Sequence, residues 1–276
     1  MGALESCPYP IFRTSCRTEL IFLRKYNLER SDELELNKIY NEDCLEGMKR
    51  IPDGSVDMIL CDLPYGTTRN KWDSVIPLDL LWEQYERVIK DNGAIILTAS
   101  QPFTTVLASS NLKNFRYEWI WNKQNSTGFQ LANKRPLKKH ENILVFYKKQ
   151  PTYHPQGLKK YNKTNRRGRV GDNWDEMENN IYIKKWTNYP TQSLHFKHDK
   201  EKNHPTQKPV ALFEYLIKTY TNEGETVLDN CIGSGTTAIA SMRTGRNYIG
   251  FELDKGYFDI ANDRIDKHKR DMSKDN

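Results

Sequence analysis

Residues 227–237 read VLDNCIGSGTT, and their pattern is the strongest indication of the fold class. A short apolar strand, Thr226–Leu228, leads into Asp229. Gly233 and Gly235 then let the backbone turn sharply and let a ligand approach without a Cβ in the way. A segment with helical spacing follows, and the first turn of such a helix has free N–H groups. The order strand, glycine-rich turn, helix is typical of α/β proteins that bind a ligand at this turn.

The chemistry of this turn favours one class of cofactor. Glu252 follows the next predicted strand, where a carboxylate can accept hydrogen bonds from both hydroxyls of a ribose. No GK[ST] follows the glycines, so the turn is not a P-loop. The acidic Asp229 would repel a pyrophosphate but suits a ligand with an amine and a sulfonium, which favours S-adenosylmethionine over NAD. An ordinary α/β turn without a ligand is the alternative.

On both sides of this stretch, apolar runs alternate with helical patterns along most of the 276 residues. The pattern predicts strands at 38–40, 56–61, 94–98, 116–121, 142–147, 226–228 and 248–251, and helices at 78–90, 209–220, 236–242 and 257–267. This alternation predicts an α/β fold with a mostly parallel, Rossmann-like sheet. The proposed division is an N-terminal extension (1–35), two halves of the main domain (36–147 and 204–276) and an insertion between them (148–203).

The insertion carries the excess positive charge of the chain. Residues 148–203 hold thirteen basic and six acidic side chains, a net charge of +7, whereas the rest of the chain sums to −1. Aromatic residues alternate with the basic ones, and such a surface suits a polyanion with stackable bases. A solvated lysine-rich loop is the alternative. The residues proposed to contact nucleic acid are Lys159, Lys160, Lys163, Arg166, Arg167, Arg169, Lys184 and Lys185.

A second turn of interest is Asp62-Leu63-Pro64-Tyr65, at the end of the strand predicted at 56–61. Pro64 keeps Leu63 out of the α region, so the turn is stiff and presents the Asp62 carboxylate and the Leu63 carbonyl together. Two acceptors beside the Tyr65 ring suit the exocyclic amino group of a planar base. A structural strand-end turn is the alternative. The polar segment 66–74 after it is predicted to close over a bound base, or else to be a plain surface loop.

Other sequence features narrow the class of protein. The five cysteines form no CxxC pair, which argues against a zinc site or a disulfide framework and favours reduced thiols in a cytoplasm-like compartment. Cys61 and Cys231 are expected to be buried wall residues without a catalytic role. No run approaches the ~18 apolar residues of a membrane helix, and the N-terminus lacks an apolar signal region.

Together the two turns resemble those of the β group of amino-methylating DNA methyltransferases, which act on adenine N6 or cytosine N4. The family motif [D/N/S]-P-P-[Y/F] corresponds to residues 62–65, and D-P-F-x-G-S-G-T to residues 229–236. The family segment H-P-T-x-K-P corresponds to residues 204–209. The family segment G-D-x-L-x-x-M corresponds to the stretch 41–48. Leu63, Asn230 and Cys231 depart from the family residues. The resemblance extends over about residues 36–268 and implies a circularly permuted motif order, with the insertion as the target-recognition region.

The resemblance implies a site, a cofactor and a substrate. The implied catalytic residues are Asp62, Leu63, Pro64 and Tyr65. The implied S-adenosylmethionine-binding residues are Asp43, Cys44, Asp62, Thr206, Lys208, Asp229, Asn230, Cys231, Gly233, Ser234, Gly235, Thr236 and Glu252. No metal is implied. Asp62, where cytosine-N4 enzymes usually carry Ser, favours the N6 of an adenine flipped out of duplex DNA and methylated directly.

Several alternatives stay open at this stage. They are a cytosine-N4 DNA methyltransferase, an RNA or protein-glutamine methyltransferase, and a nucleic-acid-binding protein without activity. The resemblance also allows a homodimer and a cognate restriction endonuclease as partners, and a cytoplasmic location in a bacterial or phage-infected cell.

Overall fold

The apolar runs of the sequence form the strands of one large sheet in the computed structural model. The structure describes residues 34–66, 74–166, 181–199 and 207–274, and the fold concerns the unit that begins at Glu35. In chain order the elements are β1 (Lys38–Tyr40), α1 (Cys44–Met48), β2 (Val56–Asp62), α2 (Leu78–Val88), β3 (Ile89–Ala99), α3 (Phe103–Ser110), β4 (Phe115–Thr127), β5 (Lys138–Phe146), β6 (Lys159–Arg166), β7 (Ile181–Thr187), β8 (Ser193–His195), α4 (Val210–Tyr220), β9 (Thr226–Asp229), α5 (Thr236–Arg243), β10 (Asn247–Phe251) and α6 (Lys255–Met272).

The main sheet has the strand order β1-β10-β9-β2-β3-β5-β4-β8. Within it β5 runs antiparallel to both of its neighbours, and the other strand pairs are parallel. This architecture confirms the predicted α/β fold with a mainly parallel sheet. The strands β6 and β7 form a separate antiparallel pair, called the ribbon below.

The central strand β2 explains why the sequence shows a continuous apolar run. Met58, Ile59, Leu60 and Cys61 have no exposed surface, because helices cover both faces of the sheet. Burying a side chain of this size contributes about 1.5–3 kcal/mol. The sheet is therefore stabilised mainly by apolar burial on β2 and its neighbours.

The boundary between α2 and β3 differs from the predicted one. The helix predicted at 78–90 ends at Val88, and β3 begins at once with Ile89. Gly93, expected to end the helix, lies inside β3, where an added Cβ would come within 2.8 Å of the Asp57 carbonyl oxygen. The glycine therefore permits close backbone packing here, rather than helix termination.

The connections that leave the adjacent strands β2 and β9 run in opposite directions across the sheet, and this defines the functional edge. From β2 the chain moves to β3 on one side, whereas β9 lies on the other side and leads to β10. Asp62 and Asp229 are the last residues of the adjacent strands β2 and β9. Ligands of open α/β sheets bind outside the carboxyl ends of strands at such a switch point. Within the described residues, no helix is long and apolar enough to cross a membrane.

Candidate active site

A cavity of about 470 Å³ opens at the carboxyl ends of β2 and β9. Its volume falls in the range of about 300–1,000 Å³ that is usual for small-molecule sites. Asp62 and Tyr65 line it from one turn, Asp229 and Gly233 line it from the other, and Glu252 lines it from the end of β10. The two turns singled out in the sequence therefore share one cavity.

The glycine turn has the backbone conformation expected from its sequence. Gly233 and Gly235 have φ values of +53° and +81°, in the left-handed region that disfavours other residues. At Gly235 an added Cβ would also lie 3.3 Å from Ala261, so α5 and α6 pack closely there. The turn thus needs glycine for conformation at both positions and for packing at the second.

Asp229 holds the turn in shape from inside the protein. Its Oδ1 accepts a hydrogen bond from the Cys231 amide at 3.1 Å, and its Oδ2 accepts one from the Thr237 hydroxyl. The carboxyl group lines the cavity although only 3% of the residue is exposed. Burial raises the pKa of Asp229 to about 7. A cationic ligand group in the cavity would favour its charged form.

Glu252 ties the end of β10 to the glycine turn. Its two carboxylate oxygens accept hydrogen bonds from the amides of Gly233 at 2.8 Å and Asp254 at 2.9 Å. Burial raises the pKa of this carboxyl group. Each oxygen can accept a further hydrogen bond, and Glu252 lines the cavity, so a ligand hydroxyl could bind here. Carboxylates at two separate points of the cavity fit a ligand that carries both a diol and a cationic group.

The remaining implied cofactor residues mostly line the same cavity. Asp43 is the N-cap of α1, where its Oδ1 accepts hydrogen bonds from the amides of Leu45 and Glu46. The cavity lining also includes Cys44, Lys208, Asn230, Cys231, Ser234 and Thr236. Thr206 lies outside the described residues, and so does the segment 67–73.

Polar contacts replace the Pro and Phe of the family motif at Asn230 and Cys231. The Asn230 side chain accepts a hydrogen bond from the Tyr85 hydroxyl, and its Nδ2 lies 3.5 Å from the sulfurs of Cys44 and Cys231. Cys61 is fully buried, as expected, whereas Cys231 is partly exposed. The cavity wall here is therefore held by an amide rather than by an aromatic ring.

The Asp62 carboxylate lies in a dense set of hydrogen bonds. Its Oδ1 accepts from the Tyr65 hydroxyl at 2.8 Å and from the Thr98 hydroxyl, and its Oδ2 accepts from Lys208 Nζ at 2.5 Å. The Tyr65 ring stacks on Phe103 with centroids 5.5 Å apart. One face of the ring is therefore already covered, so a stacking base would have to use another part of the ring.

A buried network of charges extends from Asp62 and was not anticipated from the sequence. Lys208 lies 3.2 Å from Glu141, and Glu141 also pairs with Lys123. Burial alone would lower the pKa of Lys208, but the charges of Asp62 and Glu141 outweigh it and raise the pKa to about 12. Burial would raise the pKa of Glu141, but Lys208 and Lys123 lower it. Lys208 and Glu141 are therefore both charged near neutral pH.

The ribbon presents the basic residues that the sequence singled out. Lys163 of β6 pairs in register with Lys184 of β7, and their ammonium groups lie 5.3 and 5.6 Å from the centre of the Tyr161 ring. Lys159, Lys160 and Lys185 are exposed on the same two strands. Arg166 ends β6, and Arg167 and Arg169 lie outside the described residues.

Comparison with known proteins places this geometry in a family. The sequence profile of N6/N4 DNA methylases matches residues 56–263. The DNA adenine methyltransferase YhdJ of Escherichia coli is 29% identical over 255 residues, which cover 84% of this chain and 83% of that protein. The type II methyltransferase M.HpaI of Haemophilus parainfluenzae is 28% identical over 81% of this chain and 72% of its own length.

Solved structures agree with the sequence comparison. M1.HpyAVI in complex with SAM is 26% identical with a TM-score of 0.57, over 82% of this chain and 98% of that one. The cytosine-N4-specific PvuII methyltransferase, at 15% identity and a TM-score of 0.64 over 84% of this chain and 87% of that one, shares the fold. The protein thus belongs to the N6/N4 DNA methylases, a family of S-adenosylmethionine-dependent enzymes that methylate amino groups of DNA bases.

Proposed function

We propose that this protein transfers a methyl group from S-adenosylmethionine to the N6 amino group of an adenine flipped out of duplex DNA. The observation that carries the proposal is that the Asp62 turn and the glycine turn line one cavity. The adenine target is supported by the carboxylate at position 62 and by the similarity to an enzyme named as a DNA adenine methyltransferase. The cytosine-N4 alternative rests on the fold shared with the PvuII enzyme.

The residues of the glycine turn and its neighbours would hold the cofactor. Glu252 would accept the ribose hydroxyls, and Asp229 would balance the positive charge of the amino-acid portion. When bound, S-adenosylmethionine supplies an electrophilic methyl group on its sulfonium. Both carboxylates lie in the cavity wall with part of their hydrogen-bonding capacity free, which supports these roles.

The Asp62 turn would hold the target base. The Asp62 carboxylate and the Leu63 carbonyl would accept the two N–H bonds of the amino group and turn its lone pair toward the methyl donor. Asp62 would also accept the proton that the nitrogen loses. Positioning of this kind supplies a large part of the acceleration in two-substrate reactions. An adenine paired in the duplex cannot reach the cavity, so the base must be flipped out.

The ribbon would bind the duplex, because a two-stranded ribbon fits the major groove of B-DNA. Its lysines would contact phosphates, and its polar side chains would contact base edges. The separation of the ribbon from the main sheet supports a recognition role distinct from methyl transfer. The homodimer and the cognate restriction endonuclease stay predictions from the resemblance.

The identity of the methylated base is tested by expressing the protein in a host without adenine methylation. We expect N6-methyladenine when the DNA is digested to nucleosides and analysed by mass spectrometry. Mapping of the modified positions would then give the recognition sequence. If N4-methylcytosine is found instead, the cytosine alternative replaces the adenine proposal. If the DNA is unmodified although the protein binds S-adenosylmethionine, both proposals are contradicted.

The role of Asp62 is tested by substitution. For Asp62→Ala we expect the rate of methyl transfer to fall by at least about 100-fold, because one acceptor for the amino group is lost. The affinity for S-adenosylmethionine, measured by calorimetry, should stay within a few-fold of the wild-type value. Asp62→Asn keeps one acceptor oxygen and should retain more activity than Asp62→Ala. Normal transfer by Asp62→Ala would show that another turn binds the base.

A further inference from the structure

The ammonium group of Lys208 is shared unequally between two carboxylates. Its Nζ lies 2.5 Å from Asp62 Oδ2 and 3.2 Å from Glu141 Oε2. Only 5% of Lys208 is exposed, so water cannot replace a lost partner. The lysine is hydrogen-bonded to Asp62 and in a longer contact with Glu141.

Glu141 has a spare acceptor at this point. Its Oε1 pairs with Lys123, but its buried Oε2 has no hydrogen-bond partner of good geometry among the described residues. Leaving a buried acceptor without a hydrogen bond is unfavourable for the folded protein. Such an atom in a native protein needs an explanation, and a role in catalysis is one of the recognised ones. Lys208 Nζ lies 3.2 Å from this Oε2, close enough to bind it after a small shift.

Asp62 has little free capacity for a substrate. Its Oδ1 already accepts from Tyr65 and Thr98, and its Oδ2 accepts from Lys208. A carboxylate oxygen accepts about two hydrogen bonds, so Oδ2 has one place left, beside the ammonium. An incoming amino group would therefore compete with Lys208 at Oδ2.

We propose that Glu141 is a positioning residue: it receives the ammonium of Lys208 when the amino group of the target base binds Asp62. The shift needs little movement, because the second carboxylate is already 3.2 Å away. It leaves Lys208 paired in both states and frees Asp62 Oδ2 for the base. This inference rests on the proposed function, and it assigns Lys208 to the base side of the cavity rather than to the cofactor alone.

The test replaces Glu141 by Gln, which keeps the shape and removes the charge. We expect kcat for DNA methylation to fall at least tenfold, because Lys208 then stays on Asp62, while the affinity for S-adenosylmethionine stays within twofold. The matched control is Glu118→Gln, since Glu118 lies on the adjacent strand and bonds to Asn142 instead. The control should keep the wild-type kcat. A wild-type kcat in Glu141→Gln would overturn the proposal.

A double substitution separates positioning from mere structural support. If Lys208 blocks Asp62 in Glu141→Gln, then Lys208→Met combined with Glu141→Gln should be no slower than the slower single variant. If the fold-losses in kcat of the two single variants instead multiply in the double variant, the two residues have independent structural roles and the proposal is overturned. Melting temperatures of all variants report whether each one folds.

Glu141→Asp provides the test if Glu141→Gln fails to fold. This substitution keeps the charge but shortens the side chain by one methylene. We therefore expect a several-fold lower kcat, between the values of the wild type and of Glu141→Gln, with an unchanged KM for S-adenosylmethionine. An unchanged kcat would overturn the proposal. A wild-type protein that methylates no DNA would instead contradict the proposed function, so the two failures are distinguishable.

Discussion

At the scale of single residues, Asp229 makes stability and cofactor binding depend on pH. The folded protein keeps the Asp229 proton up to about pH 7, whereas the unfolded chain loses it near 3.8. Unfolding therefore releases a proton between these values, and stability falls as pH rises through this window. At about 1.4 kcal/mol for each pKa unit, the contribution is at most about 4 kcal/mol.

The measurement compares wild type with Asp229→Asn between pH 5 and 8. We expect the free energy of unfolding of the unliganded wild type to drop with pH more steeply than that of the variant. The affinity for S-adenosylmethionine should rise with pH through 7 in the wild type only, since the cationic ligand favours the carboxylate. Parallel profiles for both proteins would contradict the assignment.

Gly47 shows that a favourable helix substitution can destabilise the fold. An added Cβ would lie 2.2 Å from the ring of Phe251, which is fully buried in β10. Gly47→Ala should therefore lower the free energy of unfolding by about 1–3 kcal/mol, the usual cost of overpacking, although alanine favours helices. Chemical denaturation measures the effect. Glu46→Ala, on the exposed side of α1, is the control and should change stability by less than about 0.5 kcal/mol.

Sequence motifs identified the carboxylates of the cavity but not their partners. Asp62, Asp229 and Glu252 each follow a predicted strand, so their common edge could be inferred. Glu141 and Lys123 could not be assigned to the site, because they depend on how β4 and β5 pair, with Glu141 opposite Trp121. In the sequence, Lys123 and Glu141 are two charged residues near the ends of two strands. Charged residues at such positions are usually exposed to solvent.

At the scale of elements, apolar strands were easier to predict than polar ones. The structure has strands close to the predicted 56–61 and 248–251, because burial on both faces leaves a continuous apolar run. The ribbon strand β6 reads KKYNKTNR, which has no apolar alternation, and it was predicted only as a break in the pattern. Its pairing with β7 depends on contacts between distant residues that no local pattern encodes.

The ribbon predicts a salt-dependent loss of DNA binding. Lys163→Gln combined with Lys184→Gln removes two charges that lie together beside Tyr161. If both contact phosphates, the affinity for duplex DNA should fall, and the slope of log K against log salt should decrease by about 2. Fluorescence anisotropy at several salt concentrations measures both quantities.

A control with the same change in charge tests whether location matters. Lys90 of β3 pairs with Asp57, and Lys149, which follows β5, pairs with Asp91. Lys90→Gln combined with Lys149→Gln should leave the salt slope unchanged. An equal decrease in both double variants would indicate a general effect of net charge and no specific contact by the ribbon.

At the scale of the whole molecule, the cofactor should stabilise the fold. The cavity is lined by residues from Glu42 to Tyr257, so only the folded chain can bind a ligand there. At 100 times its Kd, S-adenosylmethionine would add about 2.7 kcal/mol to stability. For a chain of this size we expect a melting temperature higher by about 5–10 °C. Differential scanning fluorimetry measures the shift, which Glu252→Ala should largely abolish and Asp62→Ala should keep.

The pairing of β2 with β9 has a consequence for how the protein is made. The Thr226 amide donates to Asp57 Oδ2 at 3.0 Å across 169 positions of sequence. Contacts of such long range form slowly, because a large loop must close first. On the ribosome, β2 must wait with an open edge until β9 has emerged. A chain that stopped before β9 would therefore lack the side of the cavity that the glycine turn forms.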